Sequence, residues 1–345
     1  MKESTYNLTT NENEKSVCLF TLIKGIRTTW EIGSTCNLGC KHCCIAAKSK
    51  SDDKLDLDIE KAKEVIKEIA KIGVKTIYIS GGEPLLWRPF PEFIKYAKFT
   101  GIDFLSMATN GTLINPDTAN LLKDAGIDKV LISLDSHRKE IHDEIRGKPG
   151  VYEKVIDAIK YLKEKGIFVR IGTVIWSGNV NEIEDMTDSM YKLGADEIAF
   201  SWLMKSGRAI EHPEIFVSQE RYSEVGMRLN ALKKKWKDKM LISFHRFNDI
   251  DDDYLGCQGS IRFLHIDPEG HLSPCSWITK LCPHFVSKGT IHTKSVFELL
   301  QEKPLKDFRT MVKERESEYG PGCPAICMIE SKNLYEKDPL YKGQK

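Results

Sequence analysis

The sequence predicts an α/β fold built on one parallel sheet, and three observations carry that reading. Short β-branched or apolar runs of strand length alternate with longer segments whose apolar residues recur at helical spacing. Gly101, Gly126, Gly166 and Gly194 each stand just before a new strand, where helices commonly end. The chain has 345 residues, 41% of them hydrophobic, enough to bury a substantial core.

Taken in order, residues 1–15 are polar and expected to be loosely attached. Strands are expected at 17–23 and 28–32, around Lys24 and Gly25. The first 27 residues are too few for a typical independent domain and are read as an N-terminal extension. Asp58 is expected to cap a helix whose apolar stripe is Ile59, Ala62, Val65, Ile66 and Ile69, with Gly73 ending it. Further strands are expected at 76–80, 104–108, 129–134, 168–175 and 197–202. Between them lie helices near 92–99, 116–125, 152–165 and 181–193. Six strands alternating with helices imply right-handed crossovers and a parallel sheet. Periodicity does not distinguish a curled sheet from a doubly wound one. Residues 206–218 read as a connector, and 220–236 as a long helix ending in Lys233, Lys234 and Lys235. Asp249 and Asp251 to Asp253 read as a solvated acidic turn. Beyond residue 255 helical signals are few. A hairpin is expected at 263–266 and 271–273 around Asp267 and Gly270, and residues 331–345 read as a polar tail.

Charge and composition exclude several classes. The 51 Lys+Arg nearly cancel the 50 Asp+Glu, so nothing points to nucleic acid or an anionic membrane as partner. Residues 1–15 lack the apolar stretch of a signal peptide, and no apolar run approaches the roughly 20 residues of a membrane helix. A cytoplasmic protein is expected. Ten cysteines in a reducing compartment then point to metal binding or catalysis rather than disulfides.

The chemistry centres on the stretch CNLGCKHC, which holds Cys36, Cys40 and Cys43 just after an apolar run. Thiolates suit iron–sulfur clusters or zinc. Three of them can hold three irons of a four-iron cluster and leave the fourth open to a small molecule. Zinc is the alternative, but it commonly takes four ligands, and His42 and Cys44 adjoin Cys43 too closely to share one tetrahedron with it. Ser80-Gly81-Gly82-Glu83-Pro84 follows the strand at 76–80, at the sheet end where parallel α/β folds bind ligands. Ser133 closes the fourth strand, Arg146 follows, and Asn110 closes the third strand within a Thr-Asn-Gly turn. Asn179, after the fifth strand, is a weaker candidate.

The three-cysteine stretch, the GGEP turn and the segment SLDSHRKEIHDEIRG together resemble the radical S-adenosylmethionine (SAM) superfamily. Cys257, Cys275, Cys323 and Cys327 resemble the auxiliary-cluster region of its SPASM and twitch domains. The resemblance covers about 28–202 and 257–327. It implies a partial (β/α)6 TIM-like barrel (28–245, with the connector and long helix) followed by a small cysteine-rich auxiliary domain (246–330). It implies a [4Fe–4S] cluster on Cys36, Cys40, Cys43 and SAM, with His42 where the family usually has an aromatic ring. It further implies SAM contacts from Gly81, Gly82, Glu83, Asn110, Ser133 and Arg146, and one auxiliary [4Fe–4S] cluster on the four later cysteines. A full SPASM domain has seven cysteines and two clusters, a pattern from which this chain departs: Cys282 is an additional candidate ligand, but the middle cysteine pair is absent, so one auxiliary cluster is expected and a second is left open. Structural zinc is the alternative at the four later cysteines.

The expected activity is reductive cleavage of SAM to a 5′-deoxyadenosyl radical, which abstracts hydrogen from an unactivated carbon. A flavodoxin or ferredoxin is expected as reductant. A ribosomally made peptide is the expected substrate, epimerised, oxidised or cross-linked, with a separate protein presenting it. An aminoglycoside, polyol or cofactor precursor is the alternative, and a non-enzymatic iron–sulfur or zinc protein the competing class. Cys18, Cys44 and Cys282 are left over. If the enzyme is an epimerase, Cys282 is the expected hydrogen donor.

Overall fold

The computed structural model describes residues 26–47, 57–218, 220–244, 256–320 and 322–338. The expected strand at 17–23, Cys18 and the acidic turn at 249–253 lie outside the described residues.

Six strands form the successive βα units: β1 (Ile26–Glu31), β2 (Val74–Ser80), β3 (Phe104–Thr109), β4 (Lys129–Ser133), β5 (Phe168–Ile175) and β6 (Glu197–Trp202). Each pairs in parallel with the next, and each lies within two residues of its predicted span. The intervening helices are α1 (Ile59–Lys71), α2 (Phe90–Phe99), α3 (Pro116–Ala125), α4 (Lys139–Arg146), α5 (Val151–Glu164) and α6 (Ile183–Lys192). Local chemistry explains their ends. The Asp58 carboxylate accepts from the N–H groups of Glu60 and Lys61, satisfying donors that the first helical turn leaves open. Gly126 closes α3 in the left-handed conformation (φ 90°), where a side chain would be strained. The α1 stripe of Ala62, Val65, Ile66 and Ile69 is buried. It belongs to one apolar core with Ile77, Ile79, Phe93, Val130 and Ile171.

The sheet extends beyond the six predicted strands at both edges. β7 (Leu241–Phe244), following the long helix α7 (Arg221–Trp236), pairs in parallel with β6. At the opposite edge β8 (Phe263–Ile266) pairs in parallel with β1, and β9 (Leu272–Ser273) returns antiparallel through the predicted hairpin. The order is β7-β6-β5-β4-β3-β2-β1-β8-β9. One face of this sheet carries buried charge: Glu197 on β6 receives Lys129 Nζ at 2.9 Å and Arg170 Nε at 3.3 Å and accepts from the Ser243 hydroxyl at 2.7 Å. These contacts tie β4, β5, β6 and β7 together.

The later chain is more helical than the sequence suggests. It contains α8 (Ser276–Leu281), α9 (Val296–Leu300), α10 (Lys303–Tyr319) and α11 (Pro324–Glu330). Most are too short to show a helical stripe, and their turns are closed by caps such as the Ser295–Glu298 capping box. Ile278, Phe285, Phe308, Met311 and Val312 form a second, smaller core. The segment read as a polar tail is tied to the rest of the chain at Leu334, Glu336 and Asp338. Arg315, fully buried, donates to the carbonyls of Leu334 (3.1 Å) and Glu336 (2.8 Å), and Asp338 accepts from the Cys323 N–H at 2.8 Å. Among the described residues no helix is long and apolar enough to cross a membrane.

Candidate cluster and cofactor site

β1 delivers the chain to the C-terminal end of the sheet, where a loop carries the three cysteines. Cys36 and Cys40 are buried and Cys43 is half-buried. Each sulfur faces its own donor. Asn110 Nδ2, just past β3, reaches Cys36 Sγ at 3.7 Å; Arg146 Nη1, closing α4, reaches Cys40 Sγ at 3.9 Å; the Ala47 N–H reaches Cys43 Sγ at 3.3 Å. Burial pushes the Cys36 and Cys40 thiols up. At Cys40 the Arg146 cation opposes it, while neighbouring thiols and carboxylates add to it.

The GGEP turn is locked to this loop backbone to backbone. The Gly82 N–H donates to Gly33 O and the Glu83 N–H to Thr35 O, both at 2.8 Å. A Cβ on Gly81 would overlap Gly33 O, and one on Gly82 would overlap Thr35 O. The two glycines therefore serve the approach of two protein loops, a purpose the sequence reading did not foresee. Glu83 is buried. Its Oε1 accepts from the Thr109 hydroxyl (2.8 Å) and the Leu85 N–H (3.2 Å), and its Oε2 from the Asn110 N–H (2.8 Å). Burial still pushes this carboxyl up against those donors.

The expected connector clamps the cysteine loop. Arg208 donates from Nη1 to Cys40 O and from Nη2 to Ala47 O, both at 2.8 Å, and its N–H reaches Cys43 O at 2.9 Å. Gly207 (φ 58°) lies so close that a Cβ would overlap Cys44 O. Sequence reasoning missed Arg208 because nothing local links it to cysteines more than 160 residues away. It also missed Asp135. That carboxylate is fully buried, 2.7 Å from Arg146 Nη2 and 3.5 Å from His42 Nε2. Burial opposes its charge, but Arg146, His42 and His142 outweigh burial and hold it below the usual carboxylate range. His42 is held down at about 4, chiefly by burial, and is neutral at pH 7. Ser133 ends β4 opposite Gly172, half-buried. Asn179 is a turn residue: its Nδ2 donates to Asp135 O (2.8 Å) and Val174 O (2.7 Å).

Residues 30–190 match the radical SAM superfamily. The antilisterial bacteriocin subtilosin biosynthesis protein AlbA of Bacillus subtilis is 30% identical over 81% of this chain and 60% of its own length. The chain belongs to the radical SAM superfamily. An AdoMet-dependent heme synthase of Oleidesulfovibrio alaskensis is 29% identical over 73% of this chain and 70% of its own. The structure of Streptococcus suis SuiB bound to S-adenosylmethionine superposes with a TM-score of 0.73 at 15% identity, covering 92% of this chain and 77% of SuiB. SuiB bound to its precursor peptide SuiA gives 0.73 at 16% identity, covering 92% and 76%. These likenesses support the partial-barrel fold expected of a radical SAM enzyme, a family that uses a [4Fe–4S] cluster and SAM.

The residues of this radical SAM chain fit such a cluster. Three thiols are presented by one loop, and each sulfur has a protein donor, as cluster sulfurs commonly do. Among the described residues no three His, Cys, Asp or Glu side chains are grouped so that they could hold one metal ion. The thiolates of a four-iron cluster each bind a different iron, so it needs no such group.

In the auxiliary region the Cys257 thiol is pushed up by burial and by the nearby Cys323 and Cys275. Cys327 is fully buried, pushed up by burial and opposed by Arg315, whose Nη2 lies 3.3 Å from its sulfur; it also feels Cys323. Cys257 thus lies near Cys323 and Cys275, and Cys327 near Cys323. Cys282 belongs to the small core against which Cys257, Cys275 and Cys323 pack. It is 1% exposed in the small core with Ile278, Phe285 and Phe308, and burial alone pushes its thiol up.

Proposed function

We propose that this enzyme holds a [4Fe–4S] cluster on Cys36, Cys40 and Cys43, binds SAM beside it, and modifies a peptide by hydrogen abstraction. The observation that carries the reading is the matching of each cysteine sulfur to its own donor, from Asn110, Arg146 and the Ala47 backbone. When bound, the cluster supplies the electron that cleaves SAM to methionine and a 5′-deoxyadenosyl radical. The chain's own groups position and shield. Glu83, fixed by Thr109, Leu85 and Asn110, offers a pre-oriented carboxylate; an ammonium group beside it would favour the ionised form that burial opposes. Gly81, Gly82, Asn110, Ser133 and His42 complete the candidate SAM surface at the C-terminal end of the sheet. Asn110 Nδ2 also donates to Asn37 Oδ1 at 2.8 Å, which sets the cysteine loop against β3.

Cys257, Cys275, Cys323 and Cys327 would hold an auxiliary [4Fe–4S] cluster, and a flavodoxin or ferredoxin would supply electrons. The peptide reading draws on the SuiB complex with its precursor peptide and on AlbA, named for bacteriocin biosynthesis. A second reading, a cofactor precursor as substrate, draws on the heme synthase relative. Candidate precursor peptides encoded beside the gene, and separately an iron porphyrin precursor, should be incubated anaerobically with the reconstituted enzyme, SAM and reductant. The peptide reading expects a mass change or an inverted residue in a peptide. Turnover of the porphyrin precursor alone would replace it with the second reading. Burial of Cys282 in the small core argues against its expected role as hydrogen donor, so oxidation or cross-linking is favoured over epimerisation.

A further inference from the structure

We propose that Arg146, held by Asp135, is a positioning residue that donates to the Cys40 sulfur and raises the reduction potential of the SAM-binding cluster. This rests on the cluster reading above. Arg146 is 7% exposed and already engaged on two sides: Nη2 lies 2.7 Å from Asp135 Oδ2, and Nη1 lies 3.9 Å from Cys40 Sγ. Its partner cannot follow it elsewhere. Asp135 Oδ1 accepts from the Val174 N–H at 3.0 Å, its carbonyl accepts from Asn179 at 2.8 Å, and its own N–H donates to His142 Nδ1 at 3.1 Å. Pulling the guanidinium away would leave a fully buried carboxylate without its cation, which is strongly unfavourable.

The end of α4 is also fastened to the cysteine loop. The Lys41 N–H donates to Ile145 O at 3.0 Å. Gly147 (φ 70°) lies against Gly39, where a Cβ would come within 2.8 Å of the Gly39 carbonyl oxygen. The guanidinium therefore has a fixed position relative to Cys40. A cation and an N–H directed at a cluster sulfur favour the reduced, more negative cluster and raise its potential. A buried carboxylate beside that cation acts in the opposite sense. Arg146 and Asp135 should consequently tune the cluster in opposite directions, which loss of structure alone would not produce.

The test is a potentiometric titration of anaerobically reconstituted full-length enzyme followed by electron paramagnetic resonance. The primary cluster is identified by the signal that changes on adding SAM. Arg146→Gln should shift its potential to more negative values, and Asp135→Asn to more positive values. Arg146→Lys, which keeps the charge, should stay near wild type and serves as readout if the glutamine variant folds poorly. SAM affinity, measured by the same spectral change, should fall less than tenfold in Arg146→Lys. Shifts of the same sign in Arg146→Gln and Asp135→Asn, or no shift in either, would overturn the inference. So would an unchanged potential with lost SAM binding. A wild-type protein that takes up no iron at the first motif would instead overturn the cluster reading itself.

Discussion

Replacing Gly82 by alanine tests the contact on which the cysteine loop depends. A Cβ at this position would overlap the carbonyl oxygen of Thr35 and crowd the Ser34 and Thr35 carbonyl carbons, all backbone atoms that cannot swing aside. Relief requires the two loops to part, which breaks the Gly82–Gly33 and Glu83–Thr35 hydrogen bonds. Two backbone hydrogen bonds are worth about 1–3 kcal/mol net, and forcing an extra carbon into a packed site costs about 1–3 kcal/mol. The expected loss is therefore about 2–6 kcal/mol, concentrated at the cysteine loop. Gly33→Ala is the matched control, because a Cβ there meets nothing within 4 Å and no positive φ is needed. Chemical denaturation and iron content after anaerobic reconstitution are the assays. Gly82→Ala should lose stability and iron at the first site, while Gly33→Ala should keep both. A Gly82→Ala protein with wild-type stability and iron content would refute the reasoning.

Three further outcomes are expected. Glu31, whose carboxyl is pushed up to about 7 by burial and lies 3.8 Å from His265, binds its proton more tightly folded than unfolded. Its contribution therefore falls as pH rises from about 4.5 to about 7, by about 3 kcal/mol at most, and Glu31→Gln should lose that part of the dependence; melting curves that keep the wild-type pH dependence in the variant would contradict this. Arg208→Met should remove two charge-assisted bonds to the Cys40 and Ala47 carbonyls, costing about 2–4 kcal/mol and lowering iron retention at the first site; iron release on chelator challenge checks it, and unchanged release would rule out the clamp. Cys282→Ser should place a hydroxyl in an apolar core and cost about 1–3 kcal/mol, while leaving iron at both sites. Loss of the auxiliary iron in that variant would make Cys282 a ligand.

The six βα units were legible because their evidence is local. Helix stripes, the Asp58 cap and terminal glycines each sit within a few residues of what they organise. The three-cysteine loop and the GGEP turn were legible for the same reason. What was hidden depends on distant pairing. β8 joins β1 across more than 230 positions, and nothing in its four residues announces a parallel partner. β7 is equally short. The 206–218 segment reads as a connector because Gly207 and Pro213 break regular structure. Its role as a clamp appears only when Arg208 meets the cysteine loop. Asp135 and Arg315 were missed because a buried charge is recognisable only by its partners. That Gly81 and Gly82 close on the backbone of Gly33 and Thr35 was hidden for the same reason, since those partners lie more than 45 positions away.

The measurement that bears most directly on the account is reductive SAM cleavage by the anaerobically reconstituted protein, with iron counted on the same samples. Wild type should hold about eight irons per chain, four per cluster, and release 5′-deoxyadenosine and methionine in equal amounts when reduced. Replacing Cys36, Cys40 and Cys43 by alanine should remove about half of the iron and all of the cleavage. Replacing Cys257 and Cys275 should remove the other half and leave uncoupled cleavage in place. Stoichiometric zinc without iron, or 5′-deoxyadenosine that persists without the first three cysteines, would contradict it.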